Sequence, residues 1–329
     1  MSYTHIIDLQ AESSVKAAVV VEAGQPPRYG DFRDPVPTPG KDIIRVTASA
    51  LSHVTRSRAS GTHYSSQGEL PFVPGLDGTG KTTTGERVYF CFPEHPYGGL
   101  AQLCLVDHHH RVPLPAGVDE KLAAAIAIPG MSSWAALTER ANLRAGETVL
   151  VNGATGTSGR LAVQIARHLG AKKVIATGRR PSDDLRALGA DVAVQLVEDR
   201  DVLEEAFKQV FHEGVDIVLD YLWGMSAETL MIAAAKAGPE GVPIRYVEIG
   251  SISGRDITLP SAVLRSSSLE LMGSGIASVP FPKLLEATRG VLQAAASGGL
   301  KAAIKPVPLA DVSRAWADAN SDSRLVLLP

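Results

Sequence analysis

Cysteine is nearly absent from this chain: two residues in 329, Cys91 and Cys104. So few exclude a disulfide framework and fit a reducing, cytoplasmic setting, with a single Cys91–Cys104 bridge as the minor alternative. A basic cluster is also missing. The 32 Lys and Arg against 35 Asp and Glu leave a net charge of −3, so nucleic acid is not an expected partner. No apolar run is long enough for a membrane-spanning helix, and the N-terminus lacks the basic-then-apolar pattern of an export signal. There is no internal repeat and no low-complexity linker. What is present is 45% apolar and 20% charged residues, the composition of a soluble globular protein with length for two domains.

One stretch spells a phosphate-binding loop. Gly75 to Thr82, GLDGTGKT, fits G-x-x-x-x-G-K-T, and VDIVLD (215–220) could pass for its magnesium-binding strand. Such a loop needs a buried parallel strand before it and a helix after it. Upstream, ELPFVP is broken by Pro71 and Pro74; downstream come three β-branched threonines, Gly85 and the strand-like RVYFCF. The context predicts a turn within a β-rich unit, and an ATPase is rejected.

The chain changes character near residue 120. Before it, KAAVVVEA, DIIRVTASAL, ERVYFCF and AQLCLVD are short β-branched runs punctuated by Gly and Pro, predicting a compact all-β unit. After it, strands alternate with helices. VLVNG (149–153) precedes LAVQIARHLG (161–170), where Leu161, Ile165 and Leu169 repeat every four residues. KVIAT, a short helix from Ser182, DVAVQL, a helix over VLEEAFKQVF, VDIVLD, a helix capped by Ser226, IRYVEIG and LELMG follow. This alternation predicts an α/β, Rossmann-type doubly wound parallel sheet. The final stretch from about Phe281, one helix (LLEATRGVLQAAA) and short strands, is expected to pack back on the N-terminal unit.

Between the first strand and first helix of the alternating half lies NGATGTSGR. It presents Ala154-Thr155-Gly156-Thr157-Ser158-Gly159, the dinucleotide fingerprint with alanine in its first small-residue place. Gly156 would let the backbone approach a pyrophosphate, Gly159 would let helix and strand pack closely, and the helix N-terminus offers free N–H groups. The second strand ends in Gly178-Arg179-Arg180, with no acidic residue at its tip to hold ribose hydroxyls. Guanidinium groups there suit a 2′-phosphate, so NADPH is the expected cofactor.

Taken in order, these segments resemble the medium-chain dehydrogenase/reductase superfamily, in its zinc-free quinone oxidoreductase (zeta-crystallin-like) branch. The resemblance runs through VKAAVVVEAGQPPRY, DPVPTPGKDIIRVTASALS, FVPGLDGTGK, LPAGVD, IPGMSSWAAL, ANLRAGETVLVNGATGTSG, GVDIVLDYLWG and PLADVSRAW…SRLVLLP. It implies a GroES-like β-rich catalytic domain over residues 1–122 and 275–329, a Rossmann domain over 123–274, a small-molecule substrate and a homodimer. Zinc-dependent members carry Cys near the third strand and His-Glu after the glycine turn; here Ser52, Leu76 and Asp77 stand there, and two cysteines cannot build a four-cysteine zinc lobe. The run Asp107-His108-His109-His110, read as an extended loop, sends successive side chains to opposite faces, so no metal is expected.

Without a Lewis acid, the chemistry rests on hydride placement and a hydrogen-bond donor, which suits quinones and α,β-unsaturated carbonyls. The resemblance implies that Ser132, Tyr221, Gly250, Met272, Gly273 and Ser274 line the cofactor pocket, with Arg324 a further phosphate or substrate candidate. Where quinone oxidoreductases carry an Asn, Asp and Tyr trio, this chain has Ser52, Thr55 and Ser57. Tyr64 takes a later tyrosine's place as the candidate catalytic proton donor, and Ser52, His53, Arg56 and His63 are candidates for substrate contact. A reductase specific to one carbonyl or enoyl metabolite, or an NADPH-binding sensor with little turnover, remain open alternatives.

Overall fold

The computed structural model describes residues 14–62, 69–180, 183–318 and 323–329, and the chain divides into two compact units. The first comprises residues 1–114, 304–321 and 325–329; the second comprises 115–303 and 322–324.

In the first unit, β1 (Ser14–Val19) and β2 (Arg28–Arg33) form an antiparallel pair. β3 (Lys41–Ala50) leads into a short helix, α1 (His53–Ala59), so the unit is not all-β as expected. Ser52 caps it: its hydroxyl accepts the Thr55 N–H at 2.9 Å. β4 (Asp77–Lys81), β5 (Arg87–Cys91), β6 (Leu103–Asp107) and β7 (Arg111–Pro113) then build an antiparallel sheet with β3. Its core is apolar: Ile44, Val88, Phe90, Cys104 and Val106 pack together. Both cysteines are buried free thiols, so neither bridges the other, and burial pushes both up in pKa.

The phosphate-loop letters fall on β4. A side chain at Gly80 would meet the Arg45 carbonyl oxygen at 2.4 Å, so glycine serves strand packing there. Thr82 to Glu86 then form a tight turn (Thr82 N–H to Glu86 O, 3.0 Å) into β5, with no helix at the Lys-Thr end. The β-rich setting is as expected, but most of these letters form a strand and the turn comes only after them.

The second unit opens with α2 (Glu120–Ala135), capped by Asp119. β8 (Thr148–Asn152), α3 (Thr157–His168), β9 (Lys173–Gly178), α4 (Asp183–Ala187), β10 (Val192–Gln195), α5 (Arg200–His212), β11 (Ile217–Asp220), α6 (Gly224–Ala237), β12 (Ile244–Glu248), α7 (Ser261–Arg265), β13 (Leu269–Gly273) and α8 (Phe281–Ala296) follow. The six strands are parallel in the order β10-β9-β8-β11-β12-β13, the doubly wound arrangement expected of the alternating pattern. The strand order reverses between β8 and β11, and there such sheets bind ligands at the strands' carboxyl ends. One face buries Leu150, Ile175, Phe207, Phe211, Leu230 and Tyr246. At roughly 1.5–3 kcal/mol per large apolar side chain, packing of this kind outweighs the propensity of any single helix. Leu161 and Ile165 of α3 are buried as their spacing requires, while Leu169 is half-buried.

Two local expectations are corrected. Ser226 does not cap α6: the helix begins at Gly224 with Trp223 at the cap position. The last long helix, α8, does not return to the N-terminal unit but lies against α2 within the second. The cause is apolar packing: Leu284 and Ala287 of α8, with Val279 just before it, cluster with Ala135 and Trp134 of α2. The start of the helix expected at Ser182 lies outside the described residues. β14 (Ile304–Pro308), α9 (Val312–Ala317) and β15 (Arg324–Leu328) complete the chain, with β15 antiparallel to β3. Among the described residues no helix is long and apolar enough to cross a membrane.

Candidate functional site

The second unit's site is built where β8 runs into α3. Ala154 is buried, and its N–H donates to the Thr177 carbonyl at 2.8 Å, so the turn is laced to β9. Gly159 packs as the fingerprint requires: a Cβ there would lie 2.3 Å from the Gly153 carbonyl oxygen. Gly178 does the same for Thr155, whose Cγ2 would stand 2.4 Å from an added Cβ. Gly156 is different. It caps α3 with an extended backbone (φ −79°, ψ 168°), and a Cβ there meets nothing within 4 Å. Open space therefore faces the N-terminus of a 12-residue helix. Thr157 and Ser158 form the helix's first turn, whose N–H groups and positive dipole end favour an anion.

Behind the turn lies a buried polar network that sequence reasoning missed. Asn152 and Asp220 end β8 and β11 in register, and the Asn152 Nδ2 donates to the Asp220 carboxylate at 2.8 Å. Asp220 also accepts from the Tyr246 hydroxyl at 2.7 Å and from the Leu222 and Trp223 N–H groups at 2.9 and 3.2 Å. The Thr177 hydroxyl donates to Asn152 Oδ1 at 2.7 Å and accepts the Gly153 N–H at 3.1 Å. One set of bonds thus fixes both the fingerprint turn and the turn after β11, where Trp223 sits at a positive φ of 58°. Burial raises the Asp220 pKa, more than its donors pull it down. Burial and neighbouring Asp220 raise that of half-buried Glu248, which pairs with Asp220 across β12. The available signal was a polar residue closing each otherwise apolar strand, VLVN and IVLD.

Tyr221 follows that carboxylate. Its hydroxyl is shut from solvent and faces Ser132 and Ser133 without a hydrogen bond of normal geometry; burial pushes its pKa up. Ser132 donates to the Pro129 carbonyl at 2.8 Å. Gly250 lies on the Tyr221 backbone, where an added Cβ would be 3.2 Å from the Tyr221 oxygen. The Ser274 N–H donates to the Glu248 carbonyl, which sets Met272, Gly273 and Ser274 beside β12 at the same sheet end. Arg179 and Arg180 follow β9 directly, exposed and free of ion pairs among the described residues. Arg324 opens β15, and its N–H donates to the Ala303 carbonyl.

In the first unit, a cavity of about 250 Å³ is lined by Thr55, Phe72, Leu76, Phe92, His95 and Tyr97, among others. The last three were not singled out from sequence; Phe92, with a positive φ of 51°, is the local signal. His53 is exposed at the start of α1. The Arg56 guanidinium, a candidate for substrate contact, is engaged within the chain instead. It donates to the carbonyls of Ala315, Trp316 and Asp318 and lies 5.7 Å from the Trp316 ring centre. His63 and Tyr64 lie outside the described residues. At the places of the zinc ligands, the Ser52 hydroxyl caps α1, Leu76 is buried and apolar, and the Asp77 carboxylate accepts the Tyr89 hydroxyl at 3.0 Å.

A glycine-cradled helix N-terminus at the switch point of a parallel sheet defines a dinucleotide-binding α/β protein. Residues 159–289 match the family described as zinc-binding dehydrogenases. The chain is 30% identical to the probable NADPH-dependent quinone reductase tdiC of Emericella nidulans, covering 95% of this chain and 99% of that one. It is 28% identical to the human quinone oxidoreductase over 78% of this chain and 79% of that protein. The quinone oxidoreductase of Thermus thermophilus, solved alone and with NADPH, superposes with a TM-score of 0.78 at 27% identity, covering 95% of this chain and all of that one (100%). The chain belongs to the quinone oxidoreductase branch of the medium-chain dehydrogenase/reductase superfamily.

Proposed function

We propose that the protein is an NADPH-dependent, zinc-independent oxidoreductase that reduces a quinone or an α,β-unsaturated carbonyl compound. The observation that carries this is the open space over Gly156 at the α3 N-terminus, with two exposed arginines directly beyond β9. The residues present fit the dinucleotide: a cradle that a larger residue would fill, and an orphaned hydroxyl on Tyr221 beside Ser132. Thr157, Ser158 and Gly159 N–H groups would hold the pyrophosphate, Arg179 and Arg180 the 2′-phosphate, and Ser132, Tyr221 and the Gly250 and Met272–Ser274 segments the nicotinamide end. NADPH, once bound, supplies the hydride.

The chain's own residues do the rest. Tyr64, or water, delivers a proton to the substrate oxygen. The aromatic and apolar lining of the first unit's cavity, Phe72, Phe92 and Leu76, suits a flat conjugated ring, and His95 offers a donor to its oxygen, the Tyr97 hydroxyl being given to the Asp34 carbonyl. Zinc independence is supported by what occupies the ligand places: a capping hydroxyl, a leucine, and a carboxylate bound to a tyrosine. The same reading makes the protein a cytoplasmic homodimer, with a catalytic first unit and a cofactor-holding second one.

The arginines give the direct test. An Arg179→Ala/Arg180→Ala variant is expected to bind NADPH about 30-fold or more weakly (roughly 2 kcal/mol), since two charge-assisted contacts go, while NADH affinity changes little. Titration by nicotinamide fluorescence checks this, and equal losses for both cofactors would remove the arginines from the site.

A further inference from the structure

We infer that the surface turn at Asp107–His109 in the first unit is a binding site for one borderline divalent transition metal (Zn2+, Ni2+ or Cu2+), separate from the chemistry proposed above. As an extended strand this run would scatter its side chains. Instead, His108–His110 form one turn of 3-10 helix, capped by Asp107, whose Oδ1 accepts the His109 N–H at 2.8 Å. The turn brings one ligand atom each from Asp107, His108 and His109 within 4.8 Å of one another, and the two imidazole centres stand 4.0 Å apart. His110 goes elsewhere, edge-on to Phe92. The expectation that this run cannot converge is therefore corrected for two of its three imidazoles.

A second observation points to a ligand. His108 Nδ1 is 2.6 Å from the Gly40 carbonyl oxygen. A carbonyl can only accept, so Nδ1 carries the proton and, in the neutral ring, Nε2 carries the lone pair. Metal-bound histidines are commonly oriented and tautomer-fixed by this backbone contact. The Asp107 carboxylate is anchored by accepting the His109 N–H, which keeps it on the same side as the rings. Two imidazoles and one carboxylate form a set that favours zinc, nickel or copper over calcium or magnesium, with water completing the shell. Bonds of about 2.0–2.2 Å need ligand atoms roughly 3.3 Å apart, which rotation of the two exposed imidazoles beside half-buried Asp107 can reach.

Calorimetric titration of the untagged full-length protein with ZnCl2, and separately with CuSO4, tests the site. Near pH 7.5, one equivalent should bind with micromolar affinity, and copper-loaded protein should show two nitrogen couplings in its electron paramagnetic resonance spectrum. His108→Ala/His109→Ala should weaken binding about tenfold or more, and Asp107→Asn should weaken it less. A His212→Ala control should change nothing. Turnover with NADPH should be the same in wild type and double variant. Absence of binding, or equal binding by wild type and double variant, overturns the proposal.

Discussion

A Gly156→Asp variant should fold as well as the wild type, or slightly better, and lose its dinucleotide. The position is the N-cap of α3, with a backbone any L-residue adopts and no atom within 4 Å of an added Cβ. Aspartate is among the preferred N-cap residues and gains a few tenths of a kcal/mol over glycine. Its carboxylate would accept the Ser158 or Gly159 N–H and place negative charge where a pyrophosphate is expected. NADPH should bind about 100-fold more weakly, ~2.7 kcal/mol, with an unchanged or raised Tm. Gly159→Ala should behave oppositely, losing stability first, because its Cβ would sit 2.3 Å from the Gly153 carbonyl oxygen. Thermal melts and NADPH titrations of both variants separate the two roles. Undiminished NADPH affinity in Gly156→Asp would place the dinucleotide elsewhere.

Asp220→Ala should be the most destabilising of the site substitutions. It strands the buried Tyr246 hydroxyl and the Leu222 and Trp223 N–H groups, and leaves the buried Asn152 amide with only its bond to the Ser226 hydroxyl. At about 1–3 kcal/mol for each buried donor left unpaired, a loss of roughly 3–5 kcal/mol is expected after partial relaxation. Asp220→Asn keeps one acceptor oxygen and should lose less than half as much. The same change frees the Tyr221–Trp223 turn, so NADPH affinity should fall in parallel with stability. Urea unfolding measures the first effect, and a loss below about 0.5 kcal/mol in Asp220→Ala would show that the network does not hold the fold.

How much of this was legible in sequence depended on how local the physics is. The strand VLVNG, the small residues of ATGTSG and the four-residue spacing in LAVQIARHLG each encode their structure within a few positions. Their positions in the doubly wound sheet followed from alternation alone. The P-loop letters were rejected for the same reason, since the flanking prolines and threonines deny them a helix. What escaped was decided at a distance. Asn152, Thr177, Asp220 and Tyr246 are far apart in the chain and meet only because β8, β9, β11 and β12 are neighbours. Arg56 looked like a free cation, yet its partners lie some 260 positions away around Trp316. α8 was assigned to the wrong unit because its apolar spacing says that it packs, without saying on what. The Asp107–His109 turn was misread because period-two reasoning assumes a strand, and a side-chain cap on His109 N–H changed the backbone.

The measurement closest to the central claim follows NADPH absorbance in protein dialysed against a strong chelator, with a panel of quinones and conjugated enones. The His108→Ala/His109→Ala protein should be used beside the wild type, so that metal on the surface turn cannot be mistaken for a catalytic ion. The expected result is tight NADPH binding and substrate-dependent NADPH oxidation by both proteins, undiminished by the chelator and not increased by added zinc. Tight binding with no oxidation across the panel, or activity that disappears on chelation and returns with zinc, would contradict the account.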